Sequence, residues 1–396
     1  MTKKTGKDAV IVAAVRTPVG KIKGALASVP PAELGAAVLN ALVEKTGIKP
    51  EAIDDIFFAN LFCGDWGNLA RVSLLQAGLP QELPGITMDR QCASSLSALA
   101  LAASTIRDGM NDVIIAGGVE SYSQRPYFVK KPEQAYPDDL KVLNYKSTPP
   151  VVGHPTMIQT AENLARKYGI SREACDEFAL SSHQKAAHAW ESGWFDEQVI
   201  PFPVKVRKGD PIIVDRDESV RFDANLEAMA KLKPVMSEPG SVVTAGNSSP
   251  RNDGASAALV MSREKADELG LEPLALVKNY AAAGCDPYIM GIGPVYATRK
   301  LMDRFGYSLP DFDLIELNEA FAAQSIACLE ELKPDLDRVN MEGGAIAIGH
   351  PNAASGGILV ARAVYALRRR GLKRALITFC IGGGQGFSLV IENENC

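Results

Sequence analysis

Cys92-Ala93-Ser94-Ser95-Leu96-Ser97-Ala98-Leu99-Ala100-Leu101-Ala102-Ala103 opens a stretch that is repeated near the other end of the chain. An Ala/Leu-rich helix is expected over 96–107, broken at Asp108-Gly109, and Val113-Ile114-Ile115-Ala116 then reads as a strand stopping at Gly117-Gly118. His350-Pro351-Asn352-Ala353-Ala354-Ser355-Gly356 opens a second such unit, with a helix over 357–370 and a break at Gly371. Ala375-Leu376-Ile377-Thr378-Phe379-Cys380 then runs into Ile381-Gly382-Gly383. Small residues, apolar helix, glycine break, apolar strand and glycine pair occur in that order twice. Two similar α/β halves facing each other would bring two helix N-termini to one cleft. Chance similarity between two α/β units is the plainer alternative.

Working outward, residues 8–15 form a β-branched run that ends at Arg16-Thr17-Pro18 and reads as a buried strand. Residues 32–46 carry helical spacing with Gly47 as a stop. Such alternation predicts α/β layering with strands buried on both faces. Residues 122–244 differ, being richer in Pro, Lys, Tyr and Asp, with a charged helix pair over 160–192 and a hairpin pattern from Val204 to Val214. That shift marks an inserted loop domain. A buried strand pattern resumes at Val242-Val243-Thr244-Ala245-Gly246-Asn247.

The chain has 396 residues, 46% of them hydrophobic and 22% charged, which supports a large buried core. A net charge of −5 and the lack of a Lys/Arg block argue against a nucleic-acid surface. No apolar run reaches the ~18 residues of a membrane span, and the first residues lack the apolar core of a signal peptide. Seven cysteines without CxxC spacing fit a reducing compartment, so a cytoplasmic location is expected.

Four residues carry the chemistry. Cys92 stands at a helix N-terminus, where the peptide dipoles favour a thiolate, the attacking species in acyl transfer. A small buried hydrophobe is the equal alternative there. His350, one of four histidines, lies in a Gly-rich bend and can act as a base or donate to a thioester oxygen. By itself it reads as a satisfied core histidine; the repeat reverses that. Cys380 enters Gly382-Gly383-Gly384-Gln385-Gly386, where backbone N–H groups can approach a ligand oxygen and a second thiol can shuttle a proton. Asn318 follows a strand over 313–317 and precedes a helix; it can hold a water or an oxyanion, or cap that helix.

With those residues in view, the chain resembles the thiolase family over essentially its whole length. Cys-x-Ser, Asn318-Glu319-Ala320-Phe321-Ala322, Gly343-Gly344-Ala345-Ile346-Ala347-Ile348-Gly349-His350-Pro351 and Cys380-x-Gly382-Gly383-Gly384 occur in the family's order. The resemblance implies two βαβαβαββ halves stacked as five α-β-α-β-α layers. Residues 1–121 and 245–271 would form one half, 272–396 the other, and 122–244 the inserted loop domain. It implies reversible CoA-dependent cleavage of 3-oxoacyl-CoA, or the reverse condensation, with Cys92 acylated, His350 as its base and Cys380 moving the second proton. Asn318 (through a water) and His350 would form one oxyanion site, and the N–H groups of Cys92 and Gly382 the other. Ala245 and Ser249 would line the pantetheine channel, flanked by Met157 and Met290, with Phe321 at the acyl pocket and Arg221 near the adenosine end. Coenzyme A and its thioesters would be the substrates, with no permanently bound cofactor and no metal. A homodimer or homotetramer is implied, with neither nucleic acid nor membrane as partner.

Several positions depart from the family pattern. Ser95 stands where Gly is common, Tyr122 for Met, Ile158 for Gly, Glu342 in the Asn340-Met341-Glu342 segment, and Asn352-Ala353 after His-Pro. None removes a catalytic residue, but Tyr122, Ile158 and Glu342 leave a bulky, aromatic or carboxylated acyl group as open as acetoacetyl. A decarboxylating condensing enzyme would need no second cysteine. A thiolase-like subunit that requires a partner protein for activity is the remaining alternative.

Overall fold

The first strand, β1 (Ala9–Arg16), is buried at every residue, as an Ala/Val/Ile run covered on both faces must be. It lies at the middle of a computed structural model that describes residues 7–62, 66–133, 141–143 and 145–394. After it come β2 (Gly20–Lys21), α1 (Pro31–Thr46), β3 (Asp55–Ala59), α2 (Leu69–Gln76), β4 (Gly85–Met88), α3 (Ser94–Arg107) and β5 (Val113–Ser121). The intervening segment holds α4 (Met157–Tyr168), α5 (Arg172–Glu191), the small β6 (Phe202–Val204) and β7 (Ile212–Val214) pair, and α6 (Leu226–Ala230). Then follow β8 (Asn252–Ser262), α7 (Arg263–Leu269), β9 (Ala275–Gly284), α8 (Gly293–Phe305) and β10 (Leu314–Leu317). The chain ends with α9 (Ala322–Leu332), α10 (Ala345–Ile348), α11 (Ser355–Arg370), β11 (Arg374–Ile381) and β12 (Gln385–Asn393).

The strands run β10-β11-β12-β9-β1-β8-β5-β3-β4, with β2 on β8. Two half-sheets meet at a narrow seam, where β1 pairs β9 only at Val10–Leu276 and Ile11–Ala275. Within each half the chain visits equivalent positions in the same sequence. The third strand of the second half is reduced to one parallel bridge, Ile315 to Val339. Helices α3 and α11 are thus topological counterparts, as the repeat in the sequence requires.

Three apolar clusters give the layers. One joins α3 and α11 to the inner faces of both half-sheets, one packs α1 and α2 on the outer face of the first, and one packs α8, α9, α4 and α5 on the outer face of the second. The result is helix, sheet, helix, sheet, helix. Each fully buried Leu, Ile or Phe in these clusters contributes about 1.5–3 kcal/mol relative to exposure. The segment after β5 is tied back by Arg16, whose guanidinium meets both carboxylate oxygens of Asp217 (2.7 and 2.9 Å) in full burial.

Two local expectations are corrected. Strand β5 does not stop at Gly117-Gly118 but continues to Ser121, with both glycines inside it. A Cβ on Gly118 would stand 2.3 Å from the Ala353 carbonyl oxygen, so glycine here permits close approach and is no breaker. Residues 242–247 are buried apart from Ala245 but form no strand. Their backbone is satisfied by side chains: Glu162 accepts from Val243 N–H (2.9 Å) and Asn247 from Thr244 N–H (2.8 Å).

Candidate active site

The first turns of α3 and α11 touch, which brings the Cys92 and His350 segments together. The Gly357 N–H donates to Ser95 Oγ at 3.0 Å, and a Cβ on Gly356 would stand 2.4 Å from the Leu96 nitrogen. The serine that replaces glycine at position 95 is thus an acceptor between the two halves.

Cys92 lies in the tight turn Gln91–Ala93 just before α3. Gln91 there has φ of 49°, a left-handed conformation rare for a residue with a side chain. It is held by its N–H on Asp89 Oδ1 (2.6 Å) and by Ser94 Oγ donating to its carbonyl (2.6 Å). Strain of this kind, about 1–3 kcal/mol, persists where surroundings fix it and commonly marks functional turns. The half-buried Cys92 sulfur is within reach of its own N–H and that of Gly382. These favour a thiolate, but burial outweighs them and pushes the thiol up to about 12, with Glu120 and Asp89 adding to the rise. The helix-terminus argument for a resting thiolate is corrected on that ground.

His350 is set by Gly349, whose φ of 116° and close neighbours Val19 and Asn252 exclude a side chain. The His350 N–H donates to Asn252 Oδ1 at 2.9 Å. Its Nδ1 lies 2.6 Å from Ser355 Oγ, which also donates to the Pro351 carbonyl at 3.0 Å. Satisfying both contacts puts the ring proton on Nδ1 and leaves Nε2 as an acceptor. Nε2 has no partner among the described residues. Burial lowers the imidazole to about 4, so it is neutral at rest.

Asn318 follows β10 and does not cap α9, whose N-cap is Phe321. Its N–H joins the Thr378 carbonyl (3.0 Å), while both polar atoms of its buried amide lack partners among the described residues. A buried, unpartnered amide is rare and points to a ligand or water. Cys380, near the end of β11, is fully buried, and its thiol is raised well above the usual range by burial and then by the charge of Cys92. It packs with Met290 and Ala320, and Met157 and Phe321 border that cluster.

Ser249 adjoins the same group, its Oγ donating to the Ala320 carbonyl at 3.0 Å. Ala245 is exposed on the loop leading to it. Arg221 is exposed and its N–H meets His183 Nδ1 (3.2 Å); its guanidinium has no acidic partner among the described residues, and Glu218 is engaged with Lys21 and Ala25 instead. No contact joins Arg221 to the Cys92 group. A cleft of about 320 Å³, lined in part by Gln91, Gly382, Tyr145 and Lys146, opens beside Cys92.

Glu342 is not a pocket residue. Its buried carboxylate pairs with Arg369, and Arg370 lies 3.7 Å away. Ile158 packs against the outer cluster of the second half, with the core and not with Cys380. Tyr122 does stand at the site: its hydroxyl accepts from Asn352 Nδ2 (3.1 Å), and the Cys92 charge is among the groups that raise it. Sequence reasoning overlooked Ser355 as the histidine's partner and Glu120, whose buried carboxyl is raised to about 8 chiefly by burial. Glu120 takes the Leu61, Phe62 and Ala353 N–H groups, and only its spacing after the glycine pair could have drawn notice. Among the described residues no His/Cys/Asp/Glu group could hold a metal ion, and no helix is long and apolar enough to cross a membrane. Five described cysteines are free; Cys63, Cys396 and the first six residues lie outside the described residues.

Comparison with known proteins gives consistent results. Family models for the N-terminal and C-terminal domains of thiolase match residues 9–264 and 271–393. The chain is 45% identical over 394 residues to an acetyl-CoA acetyltransferase of Chromobacterium violaceum, covering 97% of this chain and 99% of that one. It is also 45% identical over 399 residues to a beta-ketoadipyl-CoA thiolase of Pseudomonas aeruginosa, covering 98% and 99%. The crystal structure of Bacillus anthracis acetyl-CoA acetyltransferase aligns with a TM-score of 0.91 at 40% identity, covering 98% of each chain. That of human mitochondrial 3-ketoacyl-CoA thiolase gives 0.91 at 37%, covering 98% and 99%.

Proposed function

Because the chain belongs to the thiolase family and is an acyltransferase of that class, we propose that it cleaves 3-oxoacyl-CoA through an acyl-Cys92 intermediate. The observation that supports this most is the set of unpartnered polar atoms around two thiols: His350 Nε2 and the Asn318 amide. Cys92 gives its proton to Nε2 as the sulfur attacks the 3-oxo carbon. The N–H groups of Cys92 and Gly382 hold the oxyanion that forms. When it collapses, the carbon–carbon bond breaks and the departing enolate of acetyl-CoA takes a proton from Cys380. His350, now protonated at Nε2, and Asn318 hold the enolate oxygen. Coenzyme A then attacks the acyl-Cys92 carbonyl, giving its thiol proton to Cys380, and Cys92 leaves and recovers its proton from His350. Both thiols and the histidine end as they began.

For the CoA portion, Met157, Met290, Phe321 and Ser249 are proposed to line the channel to Cys380, since the first three pack in that thiol's cluster and Ser249 is bonded to Ala320 beside it. Ala245 and Arg221 lie further out on the surface and are proposed for the outer pantetheine and the nucleotide. A homodimer or homotetramer is proposed on the open edge of β4, where Ile86 is 44% exposed.

The test is peptide mass spectrometry after incubation with acyl-CoA. The acyl mass should fall on the peptide containing Cys92 and vanish in Cys92→Ser. Cys380→Ser should still be acylated while proton exchange at the acetyl methyl group slows ~10²–10⁴-fold. Stoichiometric acylation of another cysteine would overturn the assignment.

A further inference from the structure

We propose that the acyl group this enzyme prefers ends in a carboxylate, bound by Arg125 and Arg251 on the aromatic wall beside Cys92. The inference rests on the thiolase reading and names the substrate class of that same site.

The wall is built on Phe62, buried at 4% exposure. Tyr122 and Tyr145 pack on it edge-to-face, with ring centroids 6.1 and 5.2 Å away. Each tyrosine is fastened to one side of the reacting centre. Tyr145 takes a hydrogen bond from Gln91, the residue before Cys92. The Tyr122 hydroxyl is held by Asn352, two residues beyond His350. The wall therefore stands where an acyl chain leaving Cys92 would run.

Two cations rest on these rings. The Arg125 guanidinium carbon lies 3.7 Å from the Phe62 centroid and 5.6 Å from that of Tyr145. That of Arg251 lies 5.8 Å from the Tyr122 centroid, and the Arg251 backbone is bridged to His350. Among the described residues neither guanidinium meets a carboxylate or a carbonyl. The buried arginines of this protein behave otherwise: Arg16 is paired with Asp217 and Arg362 with Glu316. Ring faces hold a guanidinium's plane in place and leave its N–H edge free. A free, oriented fork matches a carboxylate bidentately. The negative charges facing the wall are buried Glu120, raised to about 8 and so neutral at pH 7, Asp253, whose carboxylate is occupied by Ser121, Ser123 and the Tyr122 N–H, and more distant Asp89. A short uncharged acyl group would leave both cations unused, and a phenyl group would gain the rings without the charges.

The test compares thiolysis of 3-oxoadipyl-CoA, 3-oxohexanoyl-CoA and a phenyl-bearing 3-oxoacyl-CoA by the whole enzyme. The ratio of kcat/KM for 3-oxoadipyl over 3-oxohexanoyl thioester should be about 10- to 100-fold in the wild type, as charge-assisted hydrogen bonds imply. Arg251→Met and Arg125→Met should each lower that ratio about tenfold or more, with Arg125→Lys restoring part of it. High salt should lower the wild-type ratio without any substitution. Preference for the uncharged or phenyl substrate overturns the proposal. So does an unmoved ratio with KM for CoA raised alike for all three, which would assign the arginines to CoA phosphates. No turnover of any 3-oxoacyl-CoA would instead overturn the thiolase reading, and the inference with it.

Discussion

Replacing Ser355 by alanine removes one hydroxyl, and with it the partner that, among the described residues, holds the proton on His350 Nδ1. The contact to Nδ1 is 2.6 Å and buried, and among the described residues nothing else reaches that nitrogen. Without it the Nδ1–H is buried and unpartnered, at a cost of about 1–3 kcal/mol. The imidazolium formed when Nε2 takes the Cys92 proton keeps that unpartnered Nδ1–H and adds a charge, so the loss falls on the transition state and corresponds to roughly 5- to 150-fold, since about 1.4 kcal/mol is tenfold. Only the tautomer with a bare Nε2 can take the Cys92 proton. Acylation of Cys92 should therefore slow by about one to two orders of magnitude. The second bond lost, to the Pro351 carbonyl, matters less, because that carbonyl also accepts from the Ala354 and Ser355 N–H groups at 2.8 and 3.0 Å.

Rapid-quench mass spectrometry of Cys92 acylation measures this directly. The thioester dissociation constant should stay put, because Ser355 is buried behind the ring, and the urea midpoint reports any purely structural loss. A Ser355→Ala protein that folds and acylates Cys92 at the wild-type rate would refute the argument that Ser355 supports the protonated ring.

Glu120→Gln should flatten the pH dependence of stability between about pH 5 and 9. A carboxyl raised from 4.5 to about 8 contributes stability that is fully present below 4.5 and lost as pH rises through 8. At pH 9 the variant should be the more stable, on the order of a few kcal/mol by urea unfolding; equal slopes would show that the carboxyl is not neutral in the fold. Glu342→Gln should destabilise by about 2–3 kcal/mol, less than a fully buried pair because Arg369 is partly exposed, and should leave the ranking of acyl substrates unchanged. A changed ranking in a folded Glu342→Gln enzyme would return that residue to the pocket.

The sequence made legible what depends on pattern. The paired units opening at Cys92 and His350 became counterpart helices α3 and α11, and their touching first turns put both residues in one cleft. What it hid depends on partners far along the chain. Gly117 and Gly118 look like a strand end, yet their lack of Cβ serves the backbone at Ser256 and Ala353, which no local window contains. Residues 242–247 carry a strand's apolar pattern, but Glu162 supplies the hydrogen bonds that a neighbouring strand would. Glu342 stands eight residues before His350 and looked like a pocket carboxylate until Arg369, a full helix later, claimed it. Arg125 and Arg251 drew no notice because an isolated arginine is usually a solvated charge; only the rings beneath them distinguish these two.

The thiol state of Cys92 is the sharpest instance. Its helix-terminal setting was readable and predicts a thiolate, and the N–H groups that would favour one are present. Burial acts on the same atoms with the larger effect, raising Cys92 to about 12 while lowering His350 to about 4. Both shifts disfavour charge, so thiol and imidazole rest as a neutral pair, and transfer of the proton between them at rest is uphill. A bound thioester changes the balance: the negative charge then develops on a carbonyl oxygen among donors already in place, without solvent reorganisation. On this reading reactivity arrives with the substrate. A resting neutral thiol is also a poor target for oxidants, which attack the thiolate, so the burial that opposes ionisation protects the nucleophile between turnovers.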